Sequence, residues 1–156
     1  MFQASLMQEA IDLSRQNVKD GKGGPFAAVV SRDGAVIASG TNSVTSSNDP
    51  TAHAEIIAIR EACWVLNSFQ LAGCEIYTTC EPCPMCLGAI YWARPDRVYF
   101  ANTRDDAARI GFDDLFIYEE LGRPPDSRRI PMIQMMRPDA LTVFREWETK
   151  MDKIKY

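Results

Sequence analysis

The sequence predicts one α/β domain, a central sheet with covering helices, and three observations carry that prediction. Segments with helical apolar spacing alternate with short runs rich in β-branched and aromatic residues. A chain of 156 residues, 46% hydrophobic and 24% charged, suits a single core in an ordinary globular protein. No repeat or low-complexity stretch interrupts the alternation.

Leu6, Ala10, Leu13 and Val18 recur at helical spacing, and Asp20-Gly21-Lys22-Gly23-Gly24 stops that helix in a glycine-rich loop. Phe26 to Val30 and Val36 to Ser39 read as strands. Arg32-Asp33-Gly34 joins them, its Asp-Gly pair favouring a hairpin turn with positive φ. Asn42 to Asn48 reads as a polar loop, and Asp49-Pro50-Thr51 leads into a helix over 52–66 with Ile56, Ile59, Cys63 and Leu66 on its apolar stripe. Glu75 to Thr79 is a third strand, and Pro84 to Ala93 a short apolar helix broken by Arg94-Pro95-Asp96. Arg97 to Ala101 is a fourth strand. Beyond it come a helical turn at Asp106 to Ile110, a turn at Gly111 to Asp114, a short helix from Leu115 to Leu121 and a loop at Gly122 to Asp126. Pro131 to Met136 reads as a fifth strand and Ala140 to Lys150 as a final amphipathic helix.

A net charge of −4 argues against a nucleic-acid partner, because such proteins gain affinity by pairing several basic side chains with phosphates. The clusters Arg128-Arg129 and Lys150, Lys153, Lys155 read as solvated surface. There is no apolar run of roughly 20 residues to span a bilayer. The first residues lack a basic stretch followed by an apolar block, so the expectation is a cytoplasmic protein. Five cysteines then point to thiols or metal ligands and not to a disulfide framework. Cys63 and Cys74 read as small buried hydrophobes, which leaves Cys80, Cys83 and Cys86.

His53 is the single histidine, so it is the one imidazole available to a metal. Cys83 and Cys86 are three apart, which brings their sulfurs together on the first turn of a helix. Unpaired N–H groups at a helix start favour thiolates, and Pro82 and Pro84 suit a helix entry. His53 and Glu55 are two apart, about 200° around a helix, and so converge only beyond its end. The spacing therefore predicts two helix starts meeting at one zinc, a metal that favours imidazole and thiolate and keeps a position for water in catalytic sites. Three other readings stand beside it. Cys80 could complete a closed structural site, the thiols could be redox-active, or Glu55 could be a surface acid at a helix start.

The order His53-Ala54-Glu55 … Pro82-Cys83-Pro84-Met85-Cys86 is the zinc nucleobase deaminase signature. Across nearly its whole length the chain resembles the cytidine deaminase-like zinc hydrolases. The likeness is closer still to the small bacterial guanine deaminases, on Asn48 to Glu55, Cys80 to Ala93, Gly111-Phe112-Asp113-Asp114 and the terminal Lys155-Tyr156. The resemblance implies a three-layer α/β/α fold with a mixed sheet of about five strands. It implies one Zn2+ per subunit on His53, Cys83 and Cys86, with Glu55 moving protons as guanine is hydrolysed to xanthine and ammonia. It also implies a purine pocket lined by Phe26, Asn42, Ala54, Trp92, Asp114 and Tyr156. A homodimer is expected, its C-terminal segment, about 130–156 of a single deaminase domain, crossing to the partner so that Tyr156 closes the neighbouring pocket. Each pocket residue also has a plain reading: Phe26 and Trp92 as packing, Asn42 as a turn, Asp114 as a helix cap and Tyr156 as a frayed end. Guanosine, cytosine, cytidine or tRNA adenosine could be the substrate by the same chemistry, and a zinc-stabilised interaction module is the alternative outside enzymes.

Overall fold

The computed structural model describes residues 2–156, which fall into two compact units, one ending at Asp114 and one spanning Leu115–Tyr156. The first unit contains helix α1 (Ala4–Lys19), the hairpin β1 (Ala27–Arg32) and β2 (Ala35–Thr41), a single helical turn α2 (Val44–Ser47) and helix α3 (Ala54–Leu66). Strand β3 (Cys74–Cys80), helix α4 (Pro84–Ala93), strand β4 (Arg97–Asn102) and the short helix α5 (Arg104–Arg109) follow. The strands lie in the order β2-β1-β3-β4, with β1 antiparallel to both neighbours and β3 parallel to β4. Asp33 and Gly34 take positive φ (52° and 81°) in the hairpin turn, as the Asp-Gly pair predicts.

Alternation along the central strands builds a layer on each face. Ala28, Val30, Cys74 and Ile76 pack with Ala54, Ala58, Ile59 and Ala62 of α3 and with Ile90 and Ala93 of α4. Val29 and Tyr77 face the other way, onto Leu6, Met7 and Ala10 of α1. The result is the three-layer α/β/α arrangement. The buried stripe of α1 continues through Ser14 and Asn17. Val18, expected on that stripe, is exposed instead, and Cys63 is only half-buried.

Backbone against backbone sets the spacing between β2 and α3. A Cβ on Gly40 would lie 2.3 Å from the Ala54 carbonyl oxygen and 2.7 Å from the Ala58 nitrogen. Only glycine fits there, and the start of α3 rests on it.

The second unit contains α6 (Leu115–Leu121), a 3-10 turn (Pro125–Ser127) and α7 (Arg137–Thr149). Glu120 organises it, pairing with Arg123 at 3.0 Å and accepting from the Arg129 backbone N–H at 2.7 Å. The Arg129 guanidinium lies over the Phe116 ring. No residue of 115–156 is buried. Among the described residues the sheet has four strands and not about five. Pro131 to Met136 is irregular: Pro131 has no N–H for a ladder, and Met136 takes a left-handed φ of 52° as it opens α7. Among the described residues no helix is long and apolar enough to cross a membrane.

Candidate active site

His53 and Cys83 are the N-cap residues of α3 and α4, so the two helix starts meet as the spacing predicts. His53 Nδ1 lies 3.5 Å from Cys83 Sγ and 3.5 Å from Cys86 Sγ. A tetrahedral zinc with bonds of about 2.0–2.1 Å to nitrogen and 2.3 Å to sulfur would hold such atoms about 3.6 Å apart. All three ligand atoms lie within 4.8 Å of one another, and among the described residues they form the one such group. One imidazole and two thiols thus fit zinc, with a fourth position left over.

Cys80 stands apart from this group. Its buried Sγ is directed at the Thr103 carbonyl oxygen (3.6 Å), and burial, followed by the Glu55 charge, pushes its thiol up to about 11. The closed four-ligand arrangement is therefore not formed. Cys83 is the thiol that ionises first: the hydrogen bond from Cys86, followed by that to His53, pulls it down to about 4. Cys86 is pushed the other way by the same bond to Cys83, by burial and by Glu55. His53 is raised chiefly by Cys83.

Glu55 sits in the first turn of α3 and is only 5% exposed. Its Oε2 lies 3.4 Å from Cys86 Sγ, and its Oε1 accepts from the Thr78 hydroxyl at 2.9 Å. Burial raises its pKa above the usual carboxylate value, opposed by the hydrogen bonds it accepts. An acid at a helix start is ordinarily a solvated residue; this one is enclosed beside the ligand cluster.

Asn42, at the end of β2, is fixed from two sides. Its backbone N–H donates to the Phe26 carbonyl (3.0 Å), and its Oδ1 accepts from the N–H groups of Gly24 (3.2 Å) and Val44 (3.3 Å). The amide is thereby oriented with its oxygen turned to the backbone. Phe26 meets Phe112 edge-on, with ring centroids 4.9 Å apart. Ala54 is fully buried, its carbonyl against Gly40. Asp114 is half-buried, and its charge is felt at His53 and Cys80; burial, followed by the Cys83 charge, raises its own carboxyl. Trp92 is 62% exposed near the end of α4, on a face about 120° from that of Cys86. Tyr156 belongs to the second unit and is 72% exposed.

Three residues of this region escape a reading of the sequence. Thr78 lies under Glu55, and Phe112 carried a signal only as an aromatic inside the Gly111–Asp114 segment. Asn17, 3% exposed on α1, donates through Nδ2 to the carbonyls of both Gly24 (3.0 Å) and Asn42 (2.9 Å). Its two donor bonds tie the glycine loop to Asn42. Gly23 is held as closely, since a Cβ there would lie 2.2 Å from the Asn42 carbonyl oxygen.

Residues 2–102 match the cytidine and deoxycytidylate deaminase zinc-binding region. The chain is 51% identical to the guanine deaminase of Bacillus subtilis (strain 168) over 156 residues, all of both chains. The X-ray structure of guanine deaminase from Bacillus subtilis superposes with a TM-score of 0.97 at 51% identity, covering 100% of this chain and 99% of that one. A tRNA-specific adenosine deaminase of Aquifex aeolicus (strain VF5) is 47% identical over 77 residues, 49% of this chain and 51% of its own length.

Proposed function

Because the chain belongs to the cytidine and deoxycytidylate deaminase zinc-binding family, we propose that it hydrolyses guanine to xanthine and ammonia with zinc held by His53, Cys83 and Cys86. The observation that carries this reading is likeness to a guanine deaminase from end to end, in sequence and in backbone. The likeness to a tRNA-specific enzyme spans about half the chain (49%), and the net charge of −4 does not favour an RNA partner.

Bound zinc lowers the pKa of a water from 15.7 to about 7, supplying a nucleophile near neutral pH. The chain's own residues do the rest. Glu55, with Oε2 on the side of the cysteine pair, accepts the proton of the attacking water and delivers it to the ring nitrogen N3 as oxygen adds to C2. It then passes the hydroxyl proton to the 2-amino group, which departs as ammonia and leaves xanthine. Asn42 offers its NH2 to an acceptor on the purine, and the backbone N–H of Ala54 donates to the polar edge. Asp114 accepts from purine N–H groups, a preference for guanine over bases with fewer donors. Phe26 and Trp92 supply apolar surface.

The working molecule is a homodimer of single deaminase domains in the cytoplasm. Residues 130–156 cross to the second copy, and Tyr156 closes the neighbouring pocket. The support is compositional: Ile130, Met132, Ile133, Met135 and Met136 are all exposed, an apolar run that a monomer would not keep in water.

Ammonia release from guanine, guanosine, adenine, cytosine, cytidine and tRNA tests the substrate assignment. Guanine is expected to turn over fastest, and a faster rate with guanosine or tRNA would overturn it. Glu55→Gln is expected to keep its zinc and lose at least about 10²–10⁴-fold in kcat. Near-normal turnover in that variant would remove Glu55 from the chemistry.

A further inference from the structure

We propose that Thr78 is a positioning residue for proton transfer, holding Glu55 by one carboxylate oxygen so that the other stays turned toward the cysteine pair. This rests on the reading of Glu55 as the proton-transfer residue and adds what sets its geometry. Thr78 Oγ1 donates to Glu55 Oε1 at 2.9 Å, while Oε2 lies 3.4 Å from Cys86 Sγ. The terminal torsion of a glutamate is broad and two-fold, so its backbone and rotamer leave the carboxylate plane loosely set. A donor on one oxygen fixes that plane. The donor is itself well anchored, because Thr78 sits mid-strand in β3, in register with Ala28 on β1 and Phe100 on β4.

The residue type points the same way. Cys74, Ile76 and Thr78 alternate onto the α3 side of β3, where Cys74 and Ile76 join the apolar cluster. Thr78 is 1% exposed in that file. Valine has the same branching, suits a strand as well and would add apolar contact. A hydroxyl in this layer is costly unless bonded, and its single proton goes to Glu55. The adjacent Thr79 does something else: its Oγ1 accepts from the Ala27 N–H at 3.1 Å, a bond internal to the sheet. Of the two threonines, one ties strands together and the other reaches the site.

The test compares Thr78→Val, Thr78→Ser, Glu55→Gln and the Glu55→Gln/Thr78→Val double variant, each as the zinc-loaded full chain. Thr78→Val is expected to lower kcat about ten- to hundredfold, the range for a hydrogen bond to a charged group. Its KM should stay within about twofold, since ground-state binding does not use the bond. Zinc stoichiometry and Tm are expected to match the parent. Thr78→Ser keeps the hydroxyl and should regain most of kcat, and Thr78→Val should cost nothing further once Glu55 is glutamine. Parental kcat in Thr78→Val beside an inactive Glu55→Gln would overturn this inference alone. An active Glu55→Gln would overturn the reading beneath it. Equal losses in the valine and serine variants, or a loss of zinc, would make Thr78 a packing residue and also overturn the proposal. If the valine variant does not fold, Thr78→Ala against Thr78→Ser gives the same contrast.

Discussion

Up to Asp114 the chain encloses a core of its own, with Val29, Val30, Leu71, Ile76 and Tyr77 wholly withdrawn from water. From Leu115 to Tyr156 it buries nothing and leaves Ile130, Ile133, Phe144, Trp147 and Ile154 exposed. A segment of roughly 40 residues seldom sustains a core unaided. The pairs around Glu120 join arginines that are largely exposed, so each is worth little. His53, Glu55, Thr78, Cys83 and Cys86 all lie in the first part. The contrast is one of burial: the candidate site is built in the part that encloses a core, and the apolar side chains of the C-terminal segment stay exposed.

That contrast can be attacked at three depths. The largest effect is expected from Cys86→Ala, which removes a fully buried candidate ligand. Activity should fall to background and zinc be lost, while sedimentation shows the same oligomer as the parent. A dimer that fell apart with the metal would show that chemistry and assembly are not separate. Deleting Tyr156 comes next. Taking one aromatic ring away from a base costs about 1–3 kcal/mol, roughly a five- to hundredfold fall in kcat/KM, with Tm unmoved. Full activity in the truncated chain would leave the second unit no part in the pocket. The smallest change in turnover, but a clear one in stability, is expected from Gly40→Ala. Overpacking where β2 meets α3 should cost about 1–3 kcal/mol in urea titration, with kcat reduced as the start of α3 shifts. An unchanged midpoint and unchanged kcat would refute the close contact.

The candidate metal ligands were legible because each rests on short-range geometry. Cys83 and Cys86 share one helical turn, and His53 with Glu55 made sense only at a helix start. That is where α3 begins, though at Ala54 with His53 as its cap and not at Ala52. Thr78 was not legible. A strand pattern says which side chains share a face, but not that Glu55 would lie above this one. Asn17 was hidden differently: the buried stripe of α1 runs through Ser14 and Asn17, polar residues that an apolar count passes over in favour of Val18. Pro131 to Met136 misled in the opposite sense. Its apolar residues imitate a strand, yet Pro131 cannot donate and Met136 turns left-handed into α7. These apolar residues stay exposed and add no strand to this sheet.

Gly40 has one more implication. Because main chain meets main chain there, the height of α3 above the sheet is not gauged by the side chains filling the space beside it. Ile56, Ile59 and their neighbours can be exchanged for others of similar bulk without carrying His53 and Glu55 away from Thr78. Descendants of this chain can thus exchange side chains of like volume along this seam while the spacing between β2 and α3 stays constant.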